Sequence, residues 1–161
     1  MKAFLKGFTY AFHGVLYGIL SERNMRVHLS VLAYMVFFLT RYDFFQVSKT
    51  QLAVLMLAAG VVLAAEYINT AIERTVDTAT KGERCETARI AKDTAAGAVL
   101  ITAIFAVAVG VLILFQPEAF RALFAYFAAS PLKILLFAVS FVLALLFIFV
   151  SPSRYLKNFR R

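Results

Sequence analysis

The chain has 161 residues, of which 62% are hydrophobic, and its 17 Lys and Arg residues outnumber its 9 Asp and Glu residues to give a net charge of +8. The apolar residues stand in long uncharged runs, which excludes an ordinary soluble protein and indicates one small polytopic membrane domain. The basic residues stand in short segments between those runs, as membrane topology signals do, so we expect no nucleic-acid partner.

The first predicted element is an amphipathic helix at residues 4–15. Its apolar residues recur at helical spacing, whereas Lys6 and His13 fall largely elsewhere on the helical wheel. A helix of this kind lies on a membrane surface, either as an anchor or with a part in ligand binding. The apolar residues are Phe4, Phe8, Ala11, Phe12 and Val15.

A polar cluster at residues 21–28 comes next, directly before an apolar run. Within it, Glu22 and Arg26 are four residues apart, as are Asn24 and His28, so each pair shares a helix face. The uncharged run at residues 29–40 is too short to span a bilayer. We therefore expect a first span to use its flanks and to cover residues 25–45.

A second span is predicted at residues 51–80, with Gly82 as the helix stop. Four polar residues fall within a narrow arc of its surface, and we call them the acidic stripe: Glu66, Asn69, Glu73 and Asp77. A helix that enters the bilayer at residue 52 has risen about 21 Å at Glu66, so this carboxylate lies in or near hydrocarbon. Ionisable residues at that depth are usually functional. The alternative is a helix end that has left the bilayer and carries solvated charge.

A third span is expected after the charged turn at residues 81–87, with its uncharged part at residues 95–115. Residues 117–130 predict an interfacial helix that Pro117 opens and that ends before Pro131. Residues 134–150 form a fourth uncharged run, and residues 153–161 form a basic tail. The expected fold class is therefore all-α, a polytopic membrane helical bundle with a surface helix, three core transmembrane helices and an added fourth C-terminal span.

Four spans place both termini and the loop at residues 81–92 on one side of the membrane. Thirteen of the 17 Lys and Arg residues are on that side, which the positive-inside rule assigns to the cytoplasm. All acidic residues except Asp43 and Glu118 are also on that side. Orientation signals do not require this segregation, because acidic residues contribute little to topology.

The polar groups at this face predict a chemistry. Carboxylate and amide oxygens are ligands for Mg²⁺, which is commonly held together with substrate phosphates. Lys and Arg can stabilise phosphoryl oxygens, and a buried carboxylate in apolar surroundings can accept a hydroxyl proton. The inventory suits phosphoryl transfer from a soluble nucleotide to a hydroxyl at the bilayer surface. No Walker-type loop or protein-kinase signature is present, so those soluble kinase folds are excluded.

A small ion or solute transporter is the alternative of another class, because polar residues within spans also line transport pathways. The polar groups cluster at one face, however, and the uncharged runs of the third and fourth spans offer no path through the membrane.

Two segments carry a family resemblance: EYINTAIE at residues 66–73, followed by Val76 and Asp77, and AKDTAAGAVL at residues 91–100. They resemble the prokaryotic diacylglycerol kinase family. Residues 10–14 (YAFHG) and 21–24 (SERN), with Arg26 and His28, resemble its undecaprenol kinase branch. The resemblance covers roughly residues 6–115.

This resemblance implies an integral-membrane lipid kinase in the bacterial cytoplasmic membrane. Its members transfer the γ-phosphate of ATP, with Mg²⁺, to the primary hydroxyl of diacylglycerol or undecaprenol, and they assemble as homotrimers with sites between subunits. Which of the two lipids this chain prefers stays open, with undecaprenol favoured by residues 21–28 alone.

The resemblance also implies a role for each matching residue. Glu66 is implied as the catalytic base, and Glu22 and Glu73 as the carboxylates that hold the metal ions of the nucleotide. Asn69, Asp77 and Arg26 are expected to shape the substrate site, although a structural charge at the helix end explains Asp77 equally well. The nucleotide- and phosphate-binding residues implied are Lys6, Tyr10, Glu22, Glu73, Lys92 and Asp93.

The chain departs from the family after residue 115, because the usual chain ends near there. We therefore predict a membrane lipid kinase domain at residues 1–116 and an addition at residues 117–161, which comprises the interfacial helix, the extra span and the basic cytoplasmic tail. The addition has no second catalytic motif, which favours a packing or anchoring role. An extra helix must also find room at the periphery of a trimer.

Overall fold

The computed structural model describes residues 2–150, which contain six α-helices and no β-strand. The all-α class predicted from the sequence is therefore confirmed. The predicted basic tail at residues 153–161 lies outside the described residues. The helices are α1 (Lys2–Ser21), α2 (Arg23–Arg41), α3 (Lys49–Ala79), α4 (Glu86–Leu114), α5 (Pro117–Ala128) and α6 (Pro131–Phe149).

Three of these helices, α3, α4 and α6, are long and apolar enough to cross a membrane. Helix α2, expected as the first span, does not meet that criterion, because Arg23, Arg26 and His28 lower the hydropathy of its first turns. It also ends at Arg41, earlier than the expected residue 45, where Tyr42 takes an extended backbone conformation (φ −132°, ψ 145°). Helix α2 nevertheless packs against both α3 and α6, and its own crossing of the membrane stays a prediction.

Most large apolar side chains are exposed on the surface of the single chain. The buried apolar residues within the described part are few, namely Met25, Leu55, Val62, Ala95 and Ala119. On α4 and α6 the apolar side chains face outwards, and Leu112 is 85% exposed. A soluble protein does not tolerate contiguous apolar surface of this extent in water. These faces contact hydrocarbon or other protein surfaces, as in a polytopic membrane protein.

The helix ends follow local sequence signals. Helix α3 begins with a capping box, in which the Gln51 amide donates to Ser48 Oγ at 3.2 Å and the Ser48 amide donates to Gln51 Oε1 at 2.9 Å. It ends before Lys81 (φ 52°) and Gly82 (φ 82°), so the predicted glycine stop is confirmed. Pro117 and Pro131 open α5 and α6.

Helix α6 runs antiparallel to α2. Arg26 contacts Ile148, Tyr34 donates to Ser140 Oγ at 3.1 Å, and the rings of Phe38 and Phe137 are 6.1 Å apart. Further aromatic rings from α2, α5 and α6 meet around these residues. The addition after α4 is therefore fixed along α2 and covers one of its faces.

Candidate active site

The end of α1 approaches α3 closely enough to bring the α1–α2 junction to the acidic stripe. The Tyr67 hydroxyl on α3 donates to the Val15 carbonyl at 2.8 Å, and its ring lies against the backbone at Gly18, where only a glycine leaves room for it. Glu22 follows α1 in an extended conformation (φ −104°, ψ 121°) and links it to α2. Its carboxylate is 3.9 Å from Arg74 Nη2 on α3.

Glu66 is the one buried acidic residue in the part of the chain that the structure describes, with 3% of its surface exposed. Its Oε1 atom lies 3.2 Å from Nε2 of His28 on α2. One turn further along α3, the Thr70 hydroxyl donates to the Glu66 carbonyl at 3.0 Å. Further along the same helix Glu73 accepts a hydrogen bond from Asn69, and Glu22 reaches α3 through its contact with Arg74.

Asn69 and Glu73 form a second pair one turn further along α3. The Asn69 Nδ2 amide donates to Glu73 Oε1 at 2.9 Å. Its Oδ1 atom is buried and has no hydrogen-bond partner among the described residues. Because buried polar atoms are normally paired, this oxygen is available for a ligand.

The donor set around Asn69 fits Mg²⁺ that arrives with a nucleotide. Among the described residues, no three His, Cys, Asp or Glu side chains are close enough together to enclose a metal ion. Mg²⁺ seldom needs such an enclosure, since one or two carboxylates together with substrate phosphates and water commonly hold it. Glu73 and the unpaired Asn69 oxygen are ligands of that kind, whereas the Glu22 carboxylate contacts Arg74.

A polar cleft of about 640 Å³ lies between the ends of α3 and α4. At its border the Lys92 ammonium is 2.6 Å from Asp77 Oδ1, which links the two helices. Asp93 points elsewhere and pairs with Arg89 at 2.9 Å. Three cationic side chains line the cleft, Arg84, Arg89 and Lys92, together with three acidic ones, Asp77, Glu83 and Glu86, so the charges of the lining balance.

The sequence that carries this site matches a known protein family. The profile of prokaryotic diacylglycerol kinases matches residues 9–114 of the 161 in the chain. The chain belongs to the prokaryotic diacylglycerol kinase family. The matched region takes in most of α1 and the whole of α2, α3 and α4, and it includes every predicted site residue except Lys6.

Two relatives agree with this membership. The diacylglycerol kinase of Synechocystis sp. is 40% identical over 113 residues, which are 70% of this chain and 63% of that protein. The undecaprenol kinase of Bacillus subtilis is 32% identical over 120 residues, which are 73% of this chain and 92% of that protein. The chain thus spans less than two thirds of the Synechocystis relative. No solved structure is significantly similar to this chain.

Two predicted nucleotide-binding residues of this diacylglycerol kinase family member stand apart from the carboxylates. Lys6 and Tyr10 lie on the exposed first half of α1, and Tyr10 is 70% exposed. Along the helix axis Tyr10 is about 18 Å from Glu22, and Lys6 is about 24 Å from it. Neither forms a hydrogen bond or ion pair with another predicted site residue in the described part of the chain.

Arg26 has a different environment from the other predicted residues. It is 4% exposed, and its guanidinium donates to the carbonyls of Ile148 (3.1 Å), Leu20 (3.0 Å) and Ile19 (3.3 Å). These carbonyls lie in the last turns of α6 and α1. Arg26 thus joins the C-terminal ends of α1 and α6 to α2 and fixes the junction in which Glu22 lies.

Two residues that contact the predicted carboxylates were not predicted as site residues. His28 contacts Glu66, and Arg74 contacts Glu22 while its guanidinium also lies over the Tyr17 ring at 5.7 Å. The sequence placed His28 on a helix face with Asn24. It gave no sign of which α3 residue that face would meet, because this depends on how α2 and α3 pack.

Proposed function

We propose that this chain is an integral-membrane lipid kinase. It transfers the γ-phosphate of ATP to the primary hydroxyl of a membrane lipid, either undecaprenol or diacylglycerol, and gives undecaprenyl phosphate or phosphatidic acid. The observation that carries the proposal is the buried Glu66 carboxylate beside the Asn69–Glu73 pair, in a chain that belongs to the diacylglycerol kinase family. Neither the family match nor the placement of the polar groups supports transport.

Glu66 acts as the general base. Its Oε1 atom lies 3.2 Å from His28 Nε2, and Oε2 forms no hydrogen bond with a described residue, which leaves Oε2 as the acceptor for the lipid hydroxyl. As the hydroxyl oxygen bonds to the γ-phosphorus, its proton passes to Glu66 and the bond to the β–γ bridging oxygen breaks, which releases ADP. A base within hydrogen-bond reach of the hydroxyl contributes about 10²- to 10⁴-fold to such a step.

Glu22, Glu73 and Asn69 would hold the Mg²⁺ that accompanies the phosphate end of the nucleotide. The bound metal ion would neutralise charge that develops on the phosphoryl oxygens. Lys92 binds phosphate at the border of the polar cleft, and the phosphate takes the place of Asp77 as its partner. Asp93 is the next residue along α4. Lys6 and Tyr10 approach the nucleotide from the surface helix, while Arg26 keeps the α1–α2 junction in place.

The kinase works as a homotrimer in the bacterial cytoplasmic membrane, with its site and both termini on the cytoplasmic side. The excess of Lys and Arg on that side supports the orientation. The exposed apolar faces of α3 and α4 offer surface for neighbouring subunits. The open position of Lys6 and Tyr10 is compatible with a site that a second subunit completes.

The test is transfer of labelled γ-phosphate from Mg²⁺-ATP by the purified full chain in mixed micelles, with diacylglycerol and undecaprenol offered separately. The Glu66→Gln variant runs alongside, because it keeps the shape of the side chain and removes the base. We expect labelled lipid from the native chain and a loss of at least about 100-fold in the variant.

Each outcome decides a separate point. The lipid that is labelled faster names the preferred acceptor, a choice on which the two relatives differ. No labelled lipid from a folded native chain would refute the lipid kinase. Equal turnover by the native chain and Glu66→Gln would leave the kinase standing and refute Glu66 as its base.

A further inference from the structure

His28 is the hydrogen-bond partner of the Glu66 carboxylate among the residues that the structure describes. The two residues are on different helices, α2 and α3, and their Nε2 and Oε1 atoms are 3.2 Å apart. The Glu66 side chain is 4% exposed and that of His28 is 27% exposed. The contact is therefore shielded from water on the glutamate side and reachable on the histidine side.

The direction of this hydrogen bond follows from the task of Glu66. A carboxylate that is to accept a proton must be ionised, and an ionised carboxylate has only acceptors. The Nε2 atom of His28 must then carry the hydrogen and donate it to Oε1. This donation occupies one carboxylate oxygen and fixes the plane of the group, while Oε2 stays available.

The second observation is the cavity that His28 borders. A space of about 250 Å³ lies between α2, α3 and α4, and every lining residue other than His28 is apolar. The lining includes Val62, one helical turn before Glu66, and small residues such as Ala59, Ala106 and Gly110. His28 is thus the polar group at the point where an apolar space meets the buried carboxylate.

We propose that His28 is a positioning residue for the lipid kinase reaction, which holds Glu66 through Oε1 so that Oε2 meets the hydroxyl of a lipid whose hydrocarbon part lies against the apolar cavity. His28 does not take the substrate proton. Its effect comes through the orientation of Glu66, and a displacement of about 1 Å at a reacting group can cost about 100-fold in rate. The inference rests on the lipid kinase activity proposed above.

The position of the donor atom separates positioning from simple packing. A glutamine amide nitrogen can occupy the place of His Nε2, whereas an asparagine amide is shorter and falls near the place of Nδ1. His28→Gln and His28→Asn therefore have the same functional group at two different reaches. His28→Leu removes the donor and keeps an apolar side chain at the cavity wall.

The experiment measures kcat and KM for Mg²⁺-ATP in the lipid phosphorylation assay for these three variants, together with their melting temperatures. We expect His28→Asn and His28→Leu to lower kcat by about 10- to 100-fold. His28→Gln should retain kcat within about threefold of the native chain, because it restores the donor to Oε1. The KM for Mg²⁺-ATP should stay unchanged in all three variants, since His28 lies on the lipid side of Glu66.

Three results would overturn the proposal. Native kcat in His28→Asn and His28→Leu would show that Glu66 needs no such partner. A loss in His28→Gln as large as that in His28→Asn would show that the position of the donor is irrelevant. A drop in kcat that follows the melting temperature across all three variants would make His28 a packing residue. A native chain that phosphorylates no lipid would instead refute the proposed function, so the two failures are distinct.

Discussion

The ring of Tyr67 on α3 lies against the backbone of Gly18 on α1, in the space that a β-carbon at residue 18 would occupy. The Tyr67 hydroxyl also donates to the Val15 carbonyl at 2.8 Å, so ring and hydroxyl both bind the second half of α1. This contact places the α1–α2 junction, and with it Glu22, next to the acidic stripe. Its integrity should therefore matter for stability and for phosphoryl transfer.

Gly18→Ala is expected to lower both the stability of the fold and the rate of phosphoryl transfer. The added methyl group would overlap the Tyr67 ring and force α1 away from α3, and overpacking of this kind typically costs about 1–3 kcal/mol. The measurements are the thermal midpoint in detergent and the lipid phosphorylation rate. Gly14→Ala is the matched control, because a β-carbon at Gly14 has nothing within 4 Å. The contact is unimportant if both alanine variants retain native stability and activity.

Arg26 provides a prediction that separates a structural role from a phosphate-binding one. Replacing it with Met would leave the carbonyls of Ile148, Leu20 and Ile19 without their donor. We expect a loss of stability of about 1.5–3 kcal/mol, the range for hydrogen bonds that involve a charged group. The KM for Mg²⁺-ATP of the folded variant should not change.

The control for Arg26 is Arg23→Met, which removes the same charge from an exposed position on the same helix. It should leave the thermal midpoint near that of the native chain. A rise in the KM for Mg²⁺-ATP in Arg26→Met, without a fall in its thermal midpoint, would instead assign Arg26 to the nucleotide.

Much of the architecture could be predicted because local signals determine it. The long uncharged runs gave the membrane class, Gly82 marked the end of α3, and Pro117 and Pro131 marked the start of two helices. The first span was harder to predict. Its polar residues Arg26 and His28 are part of the helix and face α6, α1 and α3. The hydropathy of this segment alone therefore does not predict where the helix begins.

The individual site residues could be predicted only in part, for a related reason. Helical spacing places Asn69 and Glu73 on one face, and the structure joins them by a hydrogen bond. Spacing within a helix carries no information about contacts between helices. The contact of His28 with Glu66 and that of Lys92 with Asp77 depend on how α3 packs against its neighbours, and both required the structure.

Lys92 should contribute more to nucleotide binding than to stability. Its pair with Asp77 joins side chains that are 36% and 52% exposed, and exposed pairs of this kind contribute about 1 kcal/mol or less. Lys92→Gln should raise the KM for Mg²⁺-ATP by about 10- to 100-fold, as expected from the loss of one charge-assisted contact to phosphate. The melting temperature should change little.

Two comparisons test the role of Lys92. Lys81→Gln makes the same charge change in the adjoining turn, at a residue that does not line the polar cleft, and should leave the KM unchanged. Asp77→Asn frees the lysine and should not weaken nucleotide binding. An equal rise in KM for Lys81→Gln and Lys92→Gln would show that only net charge matters.

The hydrogen bond from Tyr34 to Ser140 tests whether α6 serves packing or catalysis. It joins α2 to α6 over 3.1 Å, and Tyr34 lies about 9 Å along α2 from His28. Tyr34→Phe and Ser140→Ala each remove one partner, and the double variant completes a thermodynamic cycle. We expect a coupling free energy of about 0.6 kcal/mol, the average for hydrogen bonds between helices in a membrane.

The same three variants should keep the native kcat. Only the C-terminal end of α6 is bonded to Arg26, near Glu22, whereas Ser140 lies in the middle of α6. A packing role for α6 thus requires stability to fall while kcat stays constant. A fall in kcat in Ser140→Ala at unchanged stability would contradict it and would make the middle of α6 part of the catalytic unit. Because the family match ends at residue 114, that result would also mean that this chain uses helices outside the matched region for the reaction itself.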